Sequence, residues 1–476
     1  MSFEQEVIGR IRPSAEVTAA VDHAATTLKD AVDSYIAEHG IDAETTYVGS
    51  YAKKTFLDGN DLDLFVTFPK SMSKEDIVSI GLKIGDEVLH GVHAYAEHPY
   101  SSGKWEGVDV DLVPCYRIEM GERPITSVDR SPLHTKYVMS VMEESQRDEV
   151  RLLKKFMKGI GTYGAEPENR GFSGYLCELL VLKYGTFNAV LRAAAEEWRE
   201  GHTIVITVKG PPTVSALVVY DPTDPNRNVA SAVHTDTLAL FIVAAKEYLA
   251  APSERFFFPN RRRPLSAREI EAKAEAHGTR ILTVVFKRPD IVEDNLYGQV
   301  WKTEDAICRK LDDYDFVVLR SEHAVLADRV EIAYELDGDK LSHTERHMGP
   351  PVWVRRASEE FLKKWKGNKY GEPFIDEGSW CVISERLFAS AKEMVQDEAA
   401  ISGIGRDLDT STMTVFSHEE SLEKANRMLM TELMSPMLPW NVDRAGSPSE
   451  NVDHTDTRTE GQHQVPEYRA CVGFAR

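Results

Sequence analysis

The sequence predicts an α+β protein of several domains. At 476 residues with 42% hydrophobic content, the chain is long enough for three or four cored units at roughly 100–200 residues each. Short runs with strand alternation are interleaved with segments of helical period in the first third. Helical period alone follows from about residue 141, and short strands return past the Pro- and Arg-rich stretch 251–264. There is no internal repeat and no long low-complexity tract.

Taken in order, "PSAEVTAAVDHAATTLKDAVDSYIAEHG" places Val17, Val21, Leu28, Val32 and Ile36 on one helical stripe, opens after Pro13-Ser14 and stops at Gly40, the start and stop signals of a long amphipathic helix. "TTYVGS", "DLDLFVTF" and "GVDVDLVPCY" are β-branched or alternating runs and read as strands. From 141 to about 200, Leu152 with Phe156, Leu153 with Met157 and Leu176 with Leu180 are i, i+4 pairs, and Gly185 ends one segment. Beyond 264, "RILTVVF", "FVVLR" and "VEIAYEL" read as strands and "EDAICRKLDDY" as a helix, giving one or two smaller α/β units. From about 441 the chain is polar and short of aliphatics, the composition of a disordered tail.

Charge bounds the partners. Lys and Arg number 56 against 77 Asp and Glu, a net −21, which opposes global attraction to a phosphate backbone. A nucleic-acid partner must therefore meet local basic runs, for which "RFFFPNRRRP" (255–264), "FLKKWKGNK" (361–369) and "RLLKKFMKG" (151–159) are the candidates. The five cysteines lie far apart with no Cys-x-x-Cys pair, so neither a disulfide framework nor a zinc site is indicated. No stretch has the roughly 18 unbroken apolar residues of a membrane span and the N-terminus lacks an apolar signal core, so a cytoplasmic location is expected.

The chemistry is concentrated in "VGSYAKKTFLDGNDLDLFVTFP" (48–69). On a strand, residues i and i+2 share a face, so Asp61 and Asp63 point one way while Leu62 and Leu64 enter the core. Asp109 and Asp111 repeat the arrangement in "GVDVDLVP". If the two strands are neighbours, three or four carboxylates converge, an oxygen-only donor set suited to Mg²⁺. Two such ions about 4 Å apart can activate a hydroxyl and stabilise a leaving pyrophosphate. Gly49 allows close backbone approach, and Ser50 with nearby amides can hold a triphosphate. A Gly-Ser step by itself is an ordinary turn and Asp-x-Asp an ordinary strand edge. The order Gly-Ser, short turn, Asp-x-Asp and a later strand carrying an Asp is the pattern of the nucleotidyltransferase palm shared by polymerase β and its relatives.

"GSYAKKTFL", "DLDLFVTFP", "VDVDLVPCY", "SVDRSPLHTKYV", "GTYGAE", "RGFSGYLCELLVLKYG" and "DPTDPNRNVA" together resemble the archaeal-type, class I CCA-adding enzymes. These tRNA nucleotidyltransferases rebuild the tRNA 3′ end from CTP and ATP without a nucleic-acid template. The likeness runs from the first helix to about residue 440. It implies a palm catalytic domain over 1–140, a helical neck that binds nucleotide and substrate over 141–262, a tRNA-binding body and tail over 263–440, and a residual segment 441–476 that matches nothing in the family. It implies Asp61, Asp63 and Asp111 as the metal-binding catalytic carboxylates, Asp111 being preferred to Asp109 because it directly precedes "LVP". It further implies Gly49, Ser50 and Lys53 at the triphosphate, His134, Lys154 and Tyr163 at the triphosphate and sugar, and Arg227 at the incoming base. Two Mg²⁺ ions, tRNA, CTP and ATP, and a homodimer complete the expectation. Lys53 stands where the family usually has Arg, keeping the charge without the bidentate fork, and the turn "LDGN" before Asp61 is one residue shorter than usual. The alternatives are a poly(A) polymerase or oligonucleotide synthetase of the same superfamily, and a non-catalytic RNA-binding scaffold.

Overall fold

The computed structural model describes residues 3–57, 61–95, 98–397 and 402–443. Most of the expected 441–476 tail and of the "LDGN" turn lies outside the described residues, as does Cys471. The chain divides into two compact units, one of residues 3–262 with 437–443 and one of residues 263–436, among the described residues. No helix among them is long and apolar enough to cross a membrane. Cys115, Cys177, Cys308 and Cys381 are free thiols.

The first unit opens with α1 (Phe3–Ile11) and α2 (Ala15–Glu38). The Ser14 hydroxyl accepts the Val17 N–H at 3.1 Å and so caps α2. The helix buries Val21, Ala24, Ala25, Leu28, Val32 and Ile36. Val17, expected in the same stripe, sits in the first turn and is exposed. After it come β1 (Glu44–Val48), the single turn α3 (Gly49–Ala52), β2 (Asp61–Phe68), α4 (Lys74–Ile84), β3 (Val92–Tyr95), β4 (Pro99–Trp105) and β5 (Val108–Tyr116).

These strands form one sheet in the order β1-β2-β5-β4-β3, in which β2 and β5 are parallel and the other pairs antiparallel. Leu62, Leu64, Val66 and Phe68 join Val110 and Leu112 in a core with α2 and α4. The alternate positions Phe65, Val113 and Cys115 pack with Val48 on the opposite face, and the aspartates occupy that opposite face at the start of the two parallel strands.

Next are α5 (Arg130–Val141), α6 (Glu144–Gly159), α7 (Gly174–Tyr184), α8 (Phe187–Glu196), β6 (His202–Ile204), β7 (Leu217–Asp221), β8 (Asp224–Asn228) and α9 (Thr235–Ala250). The last three strands make a small sheet of order β6-β7-β8 within this helix-rich stretch. Its core centres on Phe156, whose ring lies 5.4 Å from Phe187, 5.5 Å from Tyr248, 5.7 Å from Phe256 and 5.6 Å from Phe257 between centroids. Trp440, from the returning segment 437–443, stacks on Phe256 at 5.1 Å and donates its indole N–H to Glu247 at 2.6 Å.

The second unit is built from α10 (Ala267–His277), β9 (Arg280–Lys287), α11 (Glu293–Asp313), β10 (Val318–Val325), β11 (Arg329–Leu336), β12 (Thr344–Pro351), α12 (Arg355–Trp365), β13 (Phe374–Asp376), β14 (Ser379–Glu385), α13 (Ala391–Gln396), β15 (Thr414–Phe416), α14 (His418–Lys424) and α15 (Arg427–Met434). An antiparallel sheet of order β10-β11-β9-β15 carries α11 on one face and α10 with α15 on the other. A second sheet, β12-β14-β13, packs against α12.

Phe156 generates the first prediction. Phe156→Ala removes a fully buried ring from among its aromatic neighbours, which should cost about 3–5 kcal/mol. Urea unfolding followed by near-UV circular dichroism should show that loss.

Candidate active site

The parallel register of β2 and β5 pairs Asp61 with Asp109 and Asp63 with Asp111. Each pair is two like charges side by side, an arrangement that raises carboxylate pKa values. Burial, reinforced by Asp111 and Asp61, pushes the Asp63 carboxyl up to about 7. Burial raises Asp111 as well, against a hydrogen bond from Ser102, and burial with Asp109 raises Asp61. Asp109, exposed like Asp61, differs from the rest in being paired with a lysine, Lys104, at 2.7 Å. Among the described residues no three His, Cys, Asp or Glu side chains converge closely enough to hold a metal ion. The sequence reading has the three aspartates already gathered, whereas the structure sets them in register and turns Asp63 onto Gly49.

Gly49 follows β1 with φ +70°, and a Cβ there would collide with the Asp63 carboxylate. The glycine is thus required both by its left-handed backbone and by this close approach. Ser50 lies in the single turn of α3, where its carbonyl accepts the Thr55 N–H at 2.9 Å.

Lys53, next along, is buried, and its Nζ donates to Glu178 Oε2 at 2.5 Å. Lys154 of α6 reaches the other oxygen of the same carboxylate at 3.3 Å and the Thr55 hydroxyl at 3.0 Å. The Thr55 hydroxyl in turn donates to Glu178 Oε1 at 2.7 Å. Two buried lysines therefore share one buried glutamate. Burial works to raise the Glu178 carboxyl, but Lys53 and Lys154 outweigh it and hold it below the ordinary glutamate range. Burial lowers the Lys154 ammonium against the pull of Glu178. Gly174, at the start of α7, lets the neighbours close in: a methyl there would stand 3.0 Å from the Tyr163 hydroxyl oxygen and 3.5 Å from Lys154 Cε. The basic run 151–159 is consequently no surface patch, since Arg151 too is buried and donates to the Phe56 and Lys54 carbonyls at 2.9 and 2.7 Å.

The remaining residues gather on Asp221, at the end of β7. Its Oδ2 accepts from His134 Nε2 at 2.8 Å and from Arg227 Nη1 at 3.0 Å. The other oxygen accepts from the Tyr175 hydroxyl at 3.2 Å and from the Thr223 N–H and hydroxyl at 2.9 and 2.8 Å. The His134 ring stacks on Tyr175 at 4.0 Å, and Lys53 Nζ lies 5.5 Å from the centre of the same tyrosine ring. Burial lowers the His134 pKa despite the bond to Asp221, and in that bond Nε2 carries the proton it donates. Burial alone would raise Asp221, yet the donors around it hold it well below the carboxylate range. The structure thus sets these residues in three groups: Gly49 against Asp63, Lys53 with Lys154 on Glu178 and Tyr163 beside Gly174, and His134 with Arg227 on Asp221.

Three family models match the chain in succession: a nucleotidyltransferase domain at 27–134, a tRNA nucleotidyltransferase second domain at 148–258 and a CCA-adding enzyme C-terminal domain at 277–420. The CCA-adding enzyme of Picrophilus torridus is 37% identical over 406 residues, covering 85% of this chain and 92% of that protein. Those of Methanosarcina acetivorans and Haloarcula marismortui are 35% and 36% identical, covering 88% and 85% of this chain and 93% and 92% of theirs.

The chain belongs to the CCA-adding enzymes. As a CCA-adding enzyme it is a nucleotidyltransferase acting in tRNA CCA addition, and its catalytic unit has the polymerase-β-like fold. A solved structure of the Cid1 poly(U) polymerase covers 53% of this chain and 94% of its own at 17% identity and a TM-score of 0.42.

Two members of this CCA-adding enzyme's site are missing from the sequence reading. Glu178 looks like one more residue of an apolar helix, and Asp221 like a turn residue. The available signal was a carboxylate in a run with Leu179, Leu180 and Val181, where only a paired charge is tolerated.

Glu178→Gln leaves two buried ammonium groups without their anion and should destabilise the first unit by about 3–5 kcal/mol. Adding Lys154→Met to that variant should recover part of the loss, as read from urea midpoints. Because the folded glutamate is depressed, its contribution is present above the ordinary glutamate range and is lost as pH falls through the lowered value. The gap between parent and Glu178→Gln should accordingly narrow in acid.

Proposed function

We propose that this chain completes the tRNA 3′ CCA from CTP and ATP, releasing pyrophosphate, with Asp61, Asp63 and Asp111 binding two Mg²⁺ ions. The observation that carries the reading is the in-register pairing of Asp63 with Asp111 beside Gly49. The donor chemistry suits Mg²⁺: it is all oxygen, and its members have raised pKa values, which marks carboxylates that a cation would relieve and draw together from the separated positions they hold here. Bound Mg²⁺ supplies charge neutralisation at the attacking tRNA hydroxyl and at the departing pyrophosphate.

The chain's own residues do the positioning. Lys53 and Lys154, aimed by Glu178, offer fixed basic groups to the triphosphate together with Ser50 and Gly49. His134 and Tyr163 sit at the triphosphate and sugar. Arg227 presents a guanidinium that donates to the ring nitrogen shared as an acceptor by cytosine and adenine, while a fixed phosphate oxygen beside it, such as one of the tRNA backbone, accepts from their exocyclic amine; guanine and uracil present an N–H and a carbonyl there instead. The tRNA backbone meets exposed cations such as Lys363, Lys364, Lys366 and Arg261, local positive charge in a chain of net −21. A homodimer and a cytoplasmic location belong to the same proposal.

The test is incubation of tRNA lacking its 3′ end with CTP, ATP and Mg²⁺, followed by sequencing of product ends. Addition should stop after three nucleotides; an unbounded A tail would favour a poly(A) polymerase. Asp63→Asn and Asp111→Asn should each lose roughly 10³-fold in kcat, on the order of 4 kcal/mol, whereas Asp109→Asn should lose far less. A dead Asp109→Asn with an active Asp111→Asn would reverse the assignment of the third carboxylate.

A further inference from the structure

Asp221 is the most heavily bonded carboxylate at the site and touches no group that the reaction transforms. It is fully buried and accepts five hydrogen bonds, from His134, Arg227, Tyr175 and, twice, Thr223. A carboxylate offers about four lone-pair sites, so this one is saturated and its orientation fixed. Its oxygens are also divided by task. Oδ1 is anchored by Thr223, two residues on, and by Tyr175 of α7, while Oδ2 faces His134 of α5 and Arg227 of β8.

The charge balance sharpens the point. Tyr175 and Thr223 are neutral donors and burial works against a charge on His134, which leaves Arg227 as the permanent cation bonded to the buried anion. A buried carboxylate of this kind holds a guanidinium firmly, because breaking the bond strands the anion. One Arg227 nitrogen is committed to Asp221, and the side chain remains 35% exposed, so the rest of its planar fork is presented in a set direction. The β7–β8 hairpin that carries both residues is itself tied to α5 a second time, by Arg130 Nε to Asp224 at 3.2 Å. On the other side Gly210 presses on the hairpin so closely that a Cβ there would collide with the Pro225 carbonyl.

We infer that Asp221 is a specificity-positioning residue, which fixes the Arg227 guanidinium and thereby sets the preference for CTP and ATP over UTP and GTP. The inference rests on the proposed reading of the base by Arg227. A guanidinium free to swing would still neutralise charge but would satisfy a carbonyl acceptor as readily as a ring nitrogen, so rate and selectivity separate. Losing a scaffold residue slows all four nucleotides together; losing this one changes their ratio.

The experiment is single-turnover addition of each of the four nucleotides by the full chain to tRNA carrying none, one or two of the three terminal residues, with Asp221→Asn, Arg227→Ala and the double variant. Asp221→Asn keeps the shape of the side chain and removes its charge. It should lower discrimination against UTP and GTP by about 10-fold or more, the scale of one charge-assisted hydrogen bond. Arg227→Ala should lower it too, and the double variant should be no less selective than Arg227→Ala alone. If Arg227→Ala loses discrimination while a folded Asp221→Asn keeps it, the inference is overturned and the reading of Arg227 stands. If Arg227→Ala keeps discrimination, that reading fails and the inference with it. Should Asp221→Asn not fold, Thr223→Val removes the 2.8 Å anchor from Oδ1 with the carboxylate in place: a selectivity loss of at least about two-fold supports the inference, and parental selectivity overturns it.

Discussion

Parallel pairing of two strands that each begin with Asp-x-Asp places like charges opposite one another, Asp61 against Asp109 and Asp63 against Asp111. The leucines and valines between them are buried against α2 and α4, and a one-residue slip would carry the whole apolar set to the wrong face. The sheet therefore cannot relieve the repulsion by shifting register. Asp109 escapes to solvent and Lys104. Asp63 cannot escape; burial and its neighbours push its carboxyl up to about 7, a frustration that a bound cation would relieve.

Much of the surrounding structure follows from accommodating that charge. Gly49 is a glycine because the Asp63 carboxylate occupies the space of a side chain. Lys53, four residues on, brings positive charge towards Asp63 but is itself buried, so it needs an anion of its own. Glu178 supplies it and serves Lys154 at the same time. The catalytic sheet and the helices after 141 are in this way joined by a buried ionic network as well as by apolar packing. Such a network contributes less net stability than its bonds suggest, because burying charges costs nearly as much as pairing them returns. It does fix where the lysines stand, as the proposed triphosphate site would require.

The sequence made the palm legible because strand and helix periods are local: the two aspartate pairs, the cap at Ser14 and the stripe from Val21 to Ile36 can each be read within a few residues. Glu178 and Asp221 were illegible for the opposite reason. The partner of Glu178 lies 125 residues earlier in the chain, and Asp221 resembles any turn aspartate until His134 arrives from another helix. The run 151–159 reads as a local basic patch for the same reason, although Arg151 and Lys154 within it are buried. In the second unit β9 and β11 announce themselves by their apolar runs, whereas β12, "TERHMGPP", has no apolar alternation and gives no strand signal at all.

The claim on which this account depends is that the paired carboxylates form a cation site defined by register, and the most direct measurement is the thermal stabilisation of the full chain by Mg²⁺ in the absence of nucleotide and tRNA. Binding to the folded state alone raises the melting temperature with cation concentration. The account predicts a rise for the parent and for Asp109→Asn that is lost in Asp63→Asn and in Asp111→Asn; an equal rise in all four proteins would contradict it.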